Sequence, residues 1–104
     1  MDLISEVLIS YDMPHTYITI YNHNINVYEL AHKIKEWAFD NWYSIDVYPT
    51  QTNEGKMYGV SISKLWKWGE HPNWYKSTYR KTEYEAVFEA GKWILEILNN
   101  NKQE

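Results

Sequence analysis

Apolar residues recur at helical spacing in three stretches of this 104-residue chain and alternate with polar ones in two others. The clearest stretch is the last. Tyr84, Val87, Phe88, Gly91, Ile94, Leu95 and Leu98 recur at intervals of three and four, and Glu85, Glu89, Lys92 and Glu96 take the opposite side. Thr82-Glu83-Tyr84-Glu85 reads as a capping box, in which Thr82 caps a free backbone N–H and Glu85 reaches back. Two acids in the first turn suit the helix dipole. Asn99, Asn100 and Asn101 read as a stop signal. Gly91 falls inside the stripe, where glycine costs about 1 kcal/mol relative to alanine. Close approach of the helix to a sheet is the expected compensation.

The second helical stretch follows Asn26, which with Glu29 imitates the same box. Val27, Leu30, Ala31, Ile34, Trp37 and Ala38 form its apolar stripe, which places Trp37 in the core, and the helix is expected to end near Asn41. Strand patterns surround it. Thr16 to Tyr21 is β-branched and aromatic. Tyr43, Ile45 and Val47 alternate with Ser44 and Asp46 until Pro49, and Tyr58, Val60 and Ile62 alternate with Gly59, Ser61 and Ser63. Residues 50–55 supply a polar turn between the last two. A further strand over Trp74–Tyr79 would avoid a 16-residue structureless loop at 66–81, which is uncommon in a compact domain. Leu3, Ile4, Val7 and Leu8 favour a short N-terminal helix.

This order predicts one α+β domain: a small mixed three- to four-stranded sheet with two main helices packed on one face. The strand–helix–strand unit implies a right-handed crossover between parallel strands. The other sheet face would carry Tyr17, Thr19, Tyr21, Ser44, Asp46, Tyr48, Ser61 and Ser63.

Composition changes the picture in one respect. The chain holds six Trp, ten Tyr and only two Phe. A domain of this size buries roughly 60–70% of the surface its unfolded chain exposes, and its interior volume is finite. Beside its Leu, Ile and Val residues there is no room for every ring. The bias to Tyr, whose hydroxyl needs water or a partner, points to exposed aromatic surface suited to contact. Five of the rings fall between Trp66 and Tyr79.

The net charge is −4, yet residues 64–81 hold five bases against the single acid Glu70. Such a two-sign map steers ligands and favours head-to-tail self-association. The overall balance suits neither a general duplex binder nor an acidic nucleic-acid mimic. The absence of Cys excludes disulfides and thiolate chemistry. No apolar run reaches the roughly 18 residues of a membrane span, and the acidic N-terminus is no secretory signal, so the expected location is the cytoplasm.

A layout of this kind resembles a family of short, uncharacterised proteins encoded by bacteriophages and prophages. The resemblance rests on the inward Trp37, on Ile45-x-Val47-x-Pro49, on Tyr58 with Ile62, and on Tyr84-Glu85-Ala86, Glu89-Ala90-Gly91 and Ile94-Leu95. It spans residues 26–98 and implies an origin, not an activity. The segment from Trp66 to Tyr79 is longer and more aromatic than that pattern.

Candidate chemistry is sparse. His15, His23, His32 and His71 form no His-x-His or His-Glu-x-x-His set, so no metal site is expected. Asp12 is the only local acid that could orient a histidine, His15. Ser61 and Ser63 lack a nucleophile turn, and no glycine-rich phosphate loop exists. The expectation is therefore no catalytic residue, no cofactor and no enzyme. Candidate binding residues are Trp66, Lys67, Trp68, Trp74, Tyr75, Lys76, Tyr79 and Arg80. Their rings and charges would anchor a protein partner, or a second copy of the chain joined through a sheet edge or the aromatic patch. The alternative is a weak single-stranded nucleic-acid binder, in which rings stack on bases and Lys67, Lys76, Arg80 or Lys81 meet phosphates. The structural alternative is that Trp66, Trp74 and Tyr79 simply cover sheet and helix edges.

Overall fold

The structure, a computed structural model, describes residues 3–12, 17–20, 23–65 and 73–102. Helix α1 spans Leu3–Ser10. A hairpin of β1 (Tyr17–Ile20) and β2 (His23–Asn26) follows. Helix α2 (Val27–Asp40) leads into β3 (Tyr43–Thr52), β4 (Gly55–Lys64) and β5 (Asn73–Arg80), and α3 (Glu83–Lys102) ends the fold. The α+β class holds.

Both helix starts form as their sequences predict, with one difference of detail. The Asn26 side chain accepts the Glu29 N–H at 2.8 Å and opens α2. At α3 the Glu85 N–H reaches Thr82 Oγ1 at a long 3.4 Å, and the Thr82 hydroxyl donates to the Glu85 carboxylate at 2.8 Å. The two box residues thus bond chiefly to each other. The three asparagines do not stop α3, which continues to Lys102. An exposed helix end tolerates Asn at a propensity cost of only a few tenths of a kcal/mol per residue relative to better formers.

The expected parallel crossover is corrected. β1 pairs antiparallel with β2, from Tyr17 opposite Asn26 to Ile20 opposite His23, and the main sheet has the order β3-β4-β5 with both pairings antiparallel. The sheet is not mixed. Closing a hairpin across two residues needs far less loop entropy than a crossover through a whole helix. The β3–β4 turn is also tighter than the polar run suggests, reduced to Asn53 and Glu54. It is held by the Glu54 N–H on Thr52 Oγ1 at 3.1 Å, and Gly55 sits at φ +113, where a side chain would be strained.

The core joins α1, α2 and α3 to one face of the main sheet. Ile4, Val7, Leu8, Leu30, Ile34, Ala38, Val60, Ile62, Val87, Phe88 and Ile94 are buried together, with Ile45, Val47 and Tyr58 packed against them. Gly91 allows a close approach, but to helices rather than to the sheet. A Cβ there would lie 2.9 Å from Ile34 Cγ2 and 3.0 Å from Leu8 Cδ2. Trp37 is buried as expected, and its indole Nε1 has no hydrogen-bond partner.

Candidate functional site

Pairing register sorts the sheet residues onto two faces. Ile45, Val47, Val60 and Ile62 face the helices. Alternate positions put Ser44 beside Ser63, Asp46 beside Ser61 beside Ser77, and Tyr48 beside Gly59 beside Tyr79 on the other face. Of the residues expected on this face, Tyr17 and Thr19 belong to the separate β1–β2 hairpin, Tyr21 lies outside the described residues, and Ser61 and Ser63 are buried. Small side chains on a central strand are shadowed by their neighbours.

The Tyr48–Gly59–Tyr79 row has a definite geometry. A Cβ at Gly59 would lie 2.4 Å from Tyr48 Cζ and 2.7 Å from its hydroxyl oxygen. The Tyr48 ring therefore lies across the glycine, and only a residue without a side chain lets it do so. Its other side is open: Tyr48 is 43% exposed and Tyr79 49%. Among the described side chains, Asp46 is the one charged residue that register puts on this face of the three strands.

The aromatic-basic segment divides. Trp66, Lys67 and Trp68 lie outside the described residues, as does His71. Trp74, Tyr75 and Lys76 belong to β5 by their backbone, with an irregularity of pairing between Ile62 and Ser63 that leaves Tyr75 as the extra residue. Their side chains are outside what is described. Tyr79 joins the exposed row. Arg80 faces the helices, where it pairs with Glu89 of α3 and ties β5 to that helix. Arg80 thus serves the scaffold, while Tyr79, the one ring of the segment whose side chain is described, faces away from it.

A groove of about 450 Å³ opens at the hairpin end of the sheet. The cross-strand pair Pro49 and Tyr58 gives it apolar side chains, Lys56 and Lys81 stand at it, and none of its lining residues is acidic.

The sequence pattern missed the corner where α2 meets β3. Trp42 adopts φ +68 and is 56% exposed, and Phe39, three residues earlier, is 65% exposed. Asn41 closes the helix through its own N–H to Ala38 O at 3.0 Å and its side-chain amide to Trp37 O at 2.9 Å. Trp42 then occupies the left-handed position that helices usually give to glycine. Trp42 O accepts the Leu65 N–H at 2.7 Å, which locks the position to the sheet. The signal was present: Phe39 falls off the stripe of Leu30, Ile34, Trp37 and Ala38, and no glycine follows Asn41.

Among the described residues no group of three or more His, Asp or Glu side chains could hold a metal ion. His32 makes an exposed contact to Glu36 at 2.9 Å, one turn along α2. His15 lies outside the described residues, so its pairing with Asp12 is not placed. No helix among them is long and apolar enough to cross a membrane. No protein-family model, curated protein or solved structure matches the chain.

Proposed function

We infer that this chain is a non-enzymatic, protein-binding module of the phage-accessory kind, and that its contact surface is the sheet face turned away from the helices. One observation carries the reading: Tyr48 lies flat on Gly59 in a row with exposed Tyr79. A ring already held in place loses little rotamer freedom on binding, and Tyr anchors concentrate energy at protein interfaces. The surroundings are serines and one acid. A nucleic-acid strand stacked on these rings would bring its phosphates toward Asp46, with no lysine or arginine among the described side chains of that face. That favours a protein over a single strand.

The test places a photoreactive phenylalanine analogue at position 79 or, as control, at position 28 on the far side of α2. Discrete protein adducts from position 79 alone, lost in a Gly59→Ala background, support the reading. Equal labelling from both positions would refute it. So would a fluorescent single-stranded oligonucleotide that binds at low salt and is released by Tyr48→Ala.

A further inference from the structure

Trp42 is costly twice over. A bulky residue in the left-handed region is uncommon and strained, and an exposed indole leaves apolar surface in water. The backbone does not call for a tryptophan there, since glycine would satisfy it better. Phe39 lies three residues back, and its carbonyl oxygen accepts the Trp42 N–H at 3.0 Å. Glu36 and Asp40, both exposed, flank the two rings on the helix side, and exposed Lys64 lies on the strand side next to Leu65. Lys35 is turned to Glu83 of α3 at 3.5 Å.

The hairpin groove is the complement of this corner. It offers the apolar side chains of the cross-strand pair Pro49 and Tyr58 and two ammonium groups, Lys56 and Lys81. Its volume, about 450 Å³, falls in the range of pockets that take a ring-bearing group. Corner and groove sit at opposite ends of β3, about 20–25 Å apart at the rise of an extended strand.

We propose that the chain associates with itself head to tail: Phe39 and Trp42 of one copy enter the Pro49–Tyr58 groove of the next, with Glu36 and Asp40 meeting Lys56 and Lys81. Two corners pair poorly, because Glu36 and Asp40 of each copy would meet with only Lys64 to offset them, and two grooves would set Lys56 and Lys81 against their own kind. The interface is heterologous, so each added copy leaves one corner and one groove free. The contact is small, in the class below about 1,200 Å², and association is weak and sensitive to salt.

Sedimentation equilibrium of the full chain tests this, with circular dichroism to verify folding. The wild-type weight-average mass should climb with concentration toward about 1 mM, pass that of a dimer, and fall in high salt. Trp42→Gly, which relieves the left-handed strain and should melt no lower than wild type, stays monomeric. So does the double variant Lys56→Glu with Lys81→Glu. Mixed in equal amounts, the two variants form a one-to-one complex and stop there, because one keeps only its groove and the other only its corner. Tyr48→Ala leaves association unchanged, which separates this contact from the sheet face. A wild type that stays monomeric, a Trp42→Gly chain that assembles like wild type, a mixture that does not associate, or loss of assembly in Tyr48→Ala would each overturn the proposal.

Discussion

The two faces of the main sheet are made from alternate residues of the same three strands, and they differ in what holds their side chains. On the covered face Val60 and Ile62 are fully buried under α2 and α3, and their positions are over-determined by many neighbours. On the other face the Tyr48 ring lies over Gly59, a place it owes to the absence of a side chain there. The first arrangement builds stability and tolerates little. The second builds a shaped surface that can be altered without unfolding the chain.

That contrast can be broken at four points. The largest effect is expected from Ile62→Ala on the covered face, a loss of about 2–5 kcal/mol in urea unfolding, against less than about 1 kcal/mol for its neighbour Ser61→Ala on the other face. Similar losses for both would mean that the two faces are equally load-sharing. Next comes Glu89→Gln, which severs the tie between β5 and α3. The pair is partly exposed, so about 1 kcal/mol or less is expected, shrinking in high salt. A loss independent of salt would point to packing rather than charge.

Gly59→Ala should cost no more than about 1 kcal/mol, because the atoms it displaces are the far end of the Tyr48 side chain and alanine suits a strand at least as well as glycine. Its signature is elsewhere. The Gly59 α-protons lie under an aromatic ring, and their upfield NMR shift should vanish in Tyr48→Ala. In Gly59→Ala the Tyr48 ring should become more accessible to a soluble quencher. An unshifted Gly59 signal in wild type would break the account of the row. The smallest effect is expected from Tyr79→Ala, within about 0.5 kcal/mol, since this ring is half exposed. A loss several times larger would place Tyr79 with the scaffold instead of the contact surface.

Much of the scaffold was legible because local signals and burial agreed. Asn26 and Thr82 announce helix starts, and the stripes behind them name Leu30, Ile34, Phe88 and Ile94, all of which are buried. The alternation in β3 and β4 names their core positions in the same way. Legibility failed where one residue has two uses or where pairing is a matter of competition. Asn26 both caps α2 and ends β2, and the His23-Asn24-Ile25-Asn26 run lacks the β-branched density that marks a strand. Strand direction depends on which partner closes first, which no single segment encodes. The candidate site was legible only in part. Tyr79 and Tyr48 follow from alternation, but the flattening of Tyr48 needs the register that sets it opposite Gly59. Trp42 escaped because a helix end without glycine reads as ordinary until its backbone angle is known.

Trp37 carries a consequence of a different kind. Its indole N–H is sealed in the core without an acceptor, while Trp42 is open to water. The protein therefore contains two natural clocks of its own motion. The N–H of Trp42 exchanges with solvent at the pace of the surface, and that of Trp37 exchanges only when the junction of helices and sheet opens. The difference between their rates measures how often the interior breathes.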